Sequence, residues 1–130
     1  MLIEGLASVF LEADQSGDRV RPGAFASSLK RMSAIPMLWK HRAGAVAGDW
    51  TNFRETGRGL EVRGVINGQK PYGRLALRDL KSGLNGLSIG FRPRRWKVRP
   101  DGGRDLVEVD LVEVSLVANP MAKNARFRVV

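Results

Sequence analysis

The sequence has no cysteine and only one histidine among its 130 residues. The absence of cysteine excludes disulfide bonds, thiol nucleophiles and cysteine-ligated metals. A single histidine cannot build a histidine-rich zinc site within one chain, and we expect neither a metal nor a cofactor. No stretch reaches the roughly 20 apolar residues of a membrane-spanning helix. The first residues lack the basic start and apolar block of a secretory signal, so we expect a cytoplasmic protein without a membrane partner.

Acidic residues are fewer than basic residues in this sequence. Lysine and arginine number 22 against 13 aspartates and glutamates, which gives a net charge of +9 and an isoelectric point near 11. One basic cluster lies between Arg92 and Arg99, and a second lies between Arg74 and Lys81. Such surfaces attract nucleic acid or acidic protein segments, although a solvated basic face needs no partner. A basic nucleic-acid-binding module is therefore one alternative to an enzyme.

The hydrophobic fraction of 43% and the charged fraction of 27% are typical of a soluble globular protein, and the length predicts a single domain over residues 1–130. Alternating apolar residues and intervening turn residues predict mostly strands. The predicted strands cover residues 2–10, 37–41, 46–55, 59–67, 86–98, 105–117 and 127–130. Two short helices are predicted over residues 22–32 and 72–82. This order favours a mainly β, α+β fold with a largely antiparallel sheet that curls into a small, partly closed barrel.

The lone histidine limits the choice of a catalytic base. His41 ends the run Met37-Leu38-Trp39-Lys40-His41, which we interpret as a short strand. Alternation along that strand would put Met37, Trp39 and His41 on one face. Histidine is the only side chain whose ordinary pKa lies near neutrality, so any imidazole base in this chain is His41. The alternative is a structural histidine packed beside Trp39.

Ser88 is the candidate nucleophile. It lies in Gly86-Leu87-Ser88-Ile89-Gly90-Phe91, where glycines two residues away on each side share its face of the strand. We interpret these glycines as leaving open space above the hydroxyl, where a substrate backbone could approach. Leu87 and Ile89 point the other way and anchor the strand in the core. The alternative is a structural hydroxyl bonded to the backbone, and no helix follows as in a nucleophile elbow.

A histidine base needs a third group that fixes its tautomer and stabilises the imidazolium. Glu113 is the first candidate because it interrupts an otherwise apolar strand, where an unpaired carboxylate would be costly. Asp49 competes with it, since it lies on the strand that follows His41. Asp110 and Glu108 are weaker candidates near the start of their strand. The residues alone leave this choice open.

Five motifs in a fixed order carry a family resemblance along nearly the whole chain. They are Gly5-Leu6-Ala7-Ser8-Val9-Phe10, residues 17–25, Met37-Leu38-Trp39-Lys40-His41, Leu87-Ser88-Ile89-Gly90-Phe91 and residues 111–120. Because it carries these motifs in this order, the chain resembles the prohead, or capsid maturation, proteases of HK97-like tailed phages and their prophage and gene-transfer-agent relatives. One departure is Leu6, where many relatives carry an aromatic residue.

The resemblance implies a serine endopeptidase with a barrel similar to herpesvirus assemblin. It implies that His41 and Ser88 are catalytic and suggests Glu113 as the third member. The implied partner is the major capsid protein, whose N-terminal scaffold segment is cleaved inside the procapsid in the host cytoplasm, together with cleavage of the protease itself. A homo-oligomer is left open, and so is nucleic-acid binding. The rival prediction is a non-enzymatic basic module that binds nucleic acid or builds the capsid.

Overall fold

The computed structural model describes residues 1–32 and 34–130. Within them the chain forms eight strands and two helices. In chain order these are β1 (Leu2–Val9), β2 (Asp18–Val20), α1 (Ala26–Arg31), β3 (Pro36–Trp39), β4 (Val46–Glu55), β5 (Gly59–Ile66), α2 (Pro71–Lys81), β6 (Gly86–Val98), β7 (Arg104–Val117) and β8 (Phe127–Val129). Neither α1 nor α2 has the length and apolar character needed to cross a bilayer.

All eight strands belong to one curled sheet, in the order β2-β7-β3-β4-β5-β1-β8, with β6 paired to the other side of β7. Most pairs are antiparallel, and the longest is the β6–β7 hairpin. Strands β2 and β3 both run parallel to β7, along its first and last thirds respectively. The predicted mainly β fold with a curled, largely antiparallel sheet is confirmed. The central strand β7 is therefore flanked by β3 on one side and β6 on the other.

The core fills the inside of the curled sheet. The hairpin of β4 and β5 follows the predicted pattern, because Leu60, Val62 and Gly64 are buried while the residues between them are partly or fully exposed. Helix α2 carries an apolar side that packs against β4 and β3, as its i, i+3, i+4 spacing predicts. This packed interior gives the surrounding strands rigid support.

Three sequence expectations about the elements were wrong in detail. Strand β3 ends at Trp39, so His41 does not share its face with Met37. The first helix begins only at Ala26, because residues 22–25 form turns instead. The sequence predicts no strand at β2, because three residues are too few to show an alternating pattern. Their parallel pairing with β7 defines the strand.

Candidate active site

Two polar side chains lie together on one face of β7. Glu113 and Ser115 are two residues apart, so they point the same way, and both are buried. The Ser115 hydroxyl donates a hydrogen bond of 2.5 Å to Oε2 of Glu113. The other oxygen, Oε1, lies 2.6 Å from Nδ1 of His41. Although Glu113 is only 8% exposed, both carboxylate oxygens therefore have the partners that a buried charge requires.

His41 reaches Glu113 through a tight turn that follows β3. Lys40 and His41 both adopt left-handed backbone conformations, with φ angles of 53° and 58°. Non-glycine residues seldom take this conformation, and it persists only where the surroundings hold it. Here the Lys40 amide donates to the carbonyl of Leu116 and the His41 amide donates to Oγ of Ser115. The turn thus fastens the imidazole to β7 rather than leaving it on the β3 face.

The contact with Glu113 sets the protonation chemistry of His41. Because a carboxylate only accepts, Nδ1 carries the proton and donates it to Oε1. This hydrogen bond raises the pKa of His41 above 6.5, partial burial opposes the rise, and the negative charge of Glu113 adds to it. The side chain remains 43% exposed. The arrangement leaves Nε2 as the nitrogen that can accept a proton at neutral pH.

Ser88 lies on the neighbouring strand β6, directly across from Ser115 in the antiparallel ladder. Side chains of directly paired residues share a face, with Cβ atoms about 5 Å apart. Ser88 is 7% exposed, and its hydroxyl forms no hydrogen bond with any group in residues 1–32 or 34–130, including His41. The structure therefore brings His41 and Glu113 into direct contact. It puts Ser88 one strand away on the same face without a bond to the imidazole.

The interpretation of the glycines beside Ser88 was wrong. A Cβ at Gly90 would lie 2.4 Å from Oε1 of Glu113, and one at Gly86 would lie 2.5 Å from the carbonyl oxygen of Val117. The space at Gly90 is thus filled by the protein's own carboxylate, which has room only because residue 90 has no side chain. Leu87 is fully buried and Ile89 packs against the core, as predicted.

The other carboxylates considered for the third role lie elsewhere. Asp49 is exposed on β4, beside Pro36 and Val65 in the sheet. Asp110 pairs with two arginines, and Glu108 pairs with Arg95. Glu113 is the carboxylate that contacts His41.

Trp39 connects the His41 turn to helix α2. Its indole N–H donates a hydrogen bond of 2.9 Å to Asp79, and its ring packs on Tyr72 with centroids 5.8 Å apart. The hydrogen bond from Trp39, with help from Arg78, lowers the pKa of Asp79 although partial burial opposes it. The Lys40 ammonium lies 4.7 Å from the indole centroid. These contacts hold the start of the turn against α2.

Sequence reasoning missed Ser115. Its hydroxyl donates to Glu113 and accepts from the backbone of His41, so it links the two residues. A signal was present, because a serine two residues after a buried carboxylate shares its strand face. The residue types alone did not distinguish this serine from a structural one.

Comparison with known proteins identifies the family of this chain. The family model described as caudovirus prohead serine protease matches residues 1–130. The prohead protease of Enterobacteria phage HK97 is 34% identical over 97 residues, which is 69% of this chain. This chain spans 41% of the length of that relative.

Solved structures show the same fold at low sequence identity. The KSHV protease in complex with a hexapeptide phosphonate inhibitor has a TM-score of 0.65 at 17% identity, covering 97% of this chain and 63% of its own. The bacteriophage T4 capsid assembly protease has a TM-score of 0.65 at 13% identity, covering 89% of this chain and 82% of its own. With the family model matching along its whole length, the chain belongs to the caudovirus prohead serine protease family.

Proposed function

We propose that this chain is a serine endopeptidase in which Ser88 is the nucleophile, His41 the general base and Glu113 the group that orients the base. The observation that carries the proposal is the bond of 2.6 Å between Nδ1 of His41 and a buried carboxylate, on the face of the sheet that also holds Ser88. Family membership is consistent with this chemistry.

In the proposed mechanism Ser88 Oγ attacks a peptide carbonyl while Nε2 of His41 takes its proton. Glu113 stabilises the imidazolium that forms, and the imidazolium then protonates the departing amine. Water attacks the acyl-enzyme in a second round of the same proton transfers and releases Ser88. Catalytic hydrogen bonds often shorten only when substrate is bound, so we expect Ser88 and His41 to close on each other in the complex.

An open strand edge beside Ser88 suits a peptide substrate. The Leu87 amide donates to the carbonyl of Ala125, and Gly86 bridges to Arg126, so the start of β6 is covered. From Ser88 onward, no other strand in the described part of the chain pairs with this outer edge. Extended peptides bind such edges through their main chains, which would bring a scissile bond to the nucleophile.

We further propose that the substrate is the major capsid protein, cut at its N-terminal scaffold segment inside the assembling procapsid, and that the protease also cleaves itself. The test is coexpression of this chain with a candidate capsid protein, followed by mass spectrometry of the capsid protein. We expect processing by the unaltered chain and none by Ser88→Ala or His41→Ala.

Ser82→Ala is the matched control, because Ser82 is an exposed serine at the end of α2. It should process the capsid protein like the unaltered chain. Full processing by Ser88→Ala would refute the protease assignment.

The geometry supports the nucleic-acid-binding alternative less well than it supports the protease. In the basic cluster on the β6–β7 hairpin, Arg94 pairs with Asp110 and Arg95 pairs with Glu108. Arg99 contacts Asp101 and Asp105. Much of the charge in this cluster is therefore matched within the hairpin itself.

A further inference from the structure

One buried hydroxyl at the site takes no part in the proposed proton transfers. Ser115 lies on the central strand β7, where Leu38 of β3 pairs with it on one side and Ser88 of β6 on the other. The residue is fully enclosed, with an exposed fraction of 0%. A substrate therefore cannot touch Ser115, and any effect of its hydroxyl on catalysis must pass through other residues.

The Ser115 hydroxyl contacts both the acid and the base of the proposed mechanism. It donates a hydrogen bond of 2.5 Å to Oε2 of Glu113 and accepts one of 3.2 Å from the backbone amide of His41. Within residues 1–32 and 34–130, no other group forms a hydrogen bond with Oε2. A single oxygen atom on a rigid strand is thus bonded to both residues.

The hydrogen bond to Oε2 matters because the last torsion of a glutamate side chain is soft. That torsion has broad wells instead of staggered ones, so a carboxylate turns easily unless one of its oxygens is held. The Ser115 hydroxyl holds Oε2, and the other oxygen then lies 2.6 Å from Nδ1 of His41. The hydroxyl therefore limits the rotation that would take Oε1 away from the imidazole.

The hydrogen bond from the His41 amide acts on the backbone of the turn. His41 has a φ angle of 58°, a conformation that must be held by its surroundings. Lys40, which shares this conformation, is held by a backbone carbonyl, that of Leu116. The His41 amide is held by a side chain, the Ser115 hydroxyl. Removal of this hydroxyl would therefore loosen the base as well as the acid.

We infer that Ser115 is a positioning residue, whose hydroxyl aligns the Glu113 carboxylate with Nδ1 of His41 and so supports proton transfer from Ser88. The inference rests on the proposed protease function and adds a residue to its machinery. The competing explanation is a hydroxyl that only satisfies a buried carboxylate. Such a hydroxyl would contribute to stability and not to the rate of cleavage.

The first test is peptide cleavage by Ser115→Ala, purified as the full chain. We expect kcat to fall by about ten- to a hundredfold, which is the worth of one hydrogen bond to a charged group. KM should stay within about twofold, because an enclosed residue adds nothing to substrate binding. Ser115→Cys nearly keeps the size of the side chain but is a weak donor, so it should show the same fall without a cavity.

Ser28→Ala is the matched control. Ser28 is also a buried serine, and its hydroxyl accepts the backbone amide of Leu111 on the same strand β7. The control variant should lose stability, measured as the urea midpoint, and keep its kcat. A comparable fall of kcat in Ser28→Ala and Ser115→Ala would mean that the loss reflects stability, and it would overturn the inference.

A double-mutant cycle shows whether Ser115 acts through Glu113. A glutamine at position 113 has only one oxygen, which cannot serve both Ser115 and Nδ1 of His41 as the two carboxylate oxygens do. In the Glu113→Gln background, Ser115→Ala should therefore lower kcat by less than about threefold. An equal factor in both backgrounds would show that Ser115 acts independently of Glu113, which contradicts a positioning role.

Proton NMR of the substrate-free chain provides a readout that does not depend on cleavage. A proton shared between Nδ1 and a carboxylate in a short hydrogen bond resonates far downfield. We expect this resonance of His41 to move upfield in Ser115→Ala and to keep its position in Ser28→Ala. An unmoved resonance in Ser115→Ala would refute the alignment of Glu113 by Ser115.

The failure of this inference is distinguishable from failure of the proposed function. Full kcat in Ser115→Ala, beside normal cleavage by the unaltered chain, would overturn the positioning role and leave the protease standing. If the unaltered chain cleaves no peptide and its Ser88 also resists a phosphonate reagent, the proposed function fails and the role of Ser115 in it fails too.

Discussion

At the scale of single residues, Glu113 controls the charge of His41. The change Glu113→Gln keeps the size of the side chain and an acceptor for Ser115 but removes the negative charge. We expect the His41 pKa to fall, because the hydrogen bond and the attraction that raise it are weakened. Catalysis should drop by roughly 10²- to 10⁴-fold, as when the carboxylate of a serine protease triad is neutralised. NMR titration of the single imidazole and peptide cleavage rates measure the two effects.

The direction of the pH dependence follows from the raised pKa. A general base must be neutral, so kcat/KM should rise with pH through an apparent pKa above 6.5 in the unaltered chain. The contribution of this pair to stability runs the other way: it is fully present below the unfolded pKa of about 6.5 and is lost as pH rises through the folded value. An unchanged His41 titration in Glu113→Gln would contradict the assigned contact.

A substitution at Gly90 tests whether stability and the His41 pKa depend on the position of the Glu113 carboxylate. In Gly90→Ala the new Cβ would lie 2.4 Å from Oε1 and 2.7 Å from Cγ of Glu113, so the Glu113 side chain must shift from the position in which it contacts His41. We expect a loss of about 1–3 kcal/mol in unfolding free energy, the usual cost of overpacking, and a lower His41 pKa. Chemical denaturation measures the unfolding free energy, and NMR titration measures the His41 pKa.

The matched control is Gly57→Ala, where an added Cβ meets nothing within 4 Å. It should leave both the stability and the His41 pKa unchanged. If Gly90→Ala behaves like this control, the tight packing over Glu113 has no functional role.

At this scale the sequence could identify residues that are rare in the chain or whose burial costs free energy. His41 stood out because it is the only histidine, and Glu113 because a carboxylate in an apolar strand needs a partner. Ser115 and Gly90 could not be assigned in the same way. Their roles depend on which residues face each other across strands, and that register is a property of the folded sheet.

At the scale of elements, the turn after β3 depends on helix α2. Trp39→Phe keeps an aromatic ring against Tyr72 but removes the N–H that bonds Asp79. We expect a loss of about 1–3 kcal/mol in unfolding free energy, the value of a hydrogen bond to a charged group. Catalysis should fall as well, because Trp39 is two residues from the base. Thermal denaturation and cleavage rates measure these effects.

Asp79→Asn separates the charge from the hydrogen bond, since an asparagine oxygen still accepts from the indole. It should cost less stability than Trp39→Phe. A full-rate, fully stable Trp39→Phe protein would show that α2 does not support the turn.

Elements with regular alternation could be predicted closely, and those defined by pairing could not. The bounds of β4 and β6 match their predictions because turn residues delimit alternating runs. The His41 turn escaped prediction, since two consecutive non-glycine residues with positive φ follow no sequence rule. Its geometry is held by hydrogen bonds from β7, some 75 residues further along the chain.

At the scale of the whole molecule, ion pairs join distant parts of the sheet. Asp105 on β7 bonds both Arg19 on β2 and Arg99 near the hairpin turn. The hydrogen bonds from Arg19, together with Arg99 and the charges of both, lower the pKa of Asp105 from 3.8 to about 2. A depressed carboxyl pKa stabilises the fold above the unfolded value, and this stabilisation is lost as pH falls from about 4 towards 2.

Asp105→Asn should therefore flatten the loss of stability between about pH 4 and pH 2, measured as the urea midpoint at each pH. Asp49→Asn is the control, because Asp49 is exposed on β4 and forms no salt bridge in the described part of the chain. It should keep the acid dependence of the unaltered chain. An identical acid dependence in Asp105→Asn would show that the β2–β7 ion pairs do not act in this range.

The most direct test of the central claim is covalent labelling of the nucleophile. A reactive peptidyl phosphonate should form a single adduct that maps to Ser88 by mass spectrometry. The adduct should be absent in His41→Ala and strongly slowed in Glu113→Gln. An adduct on another serine, or labelling of Ser88 that is unaffected by His41→Ala, would contradict the assignment of these three residues.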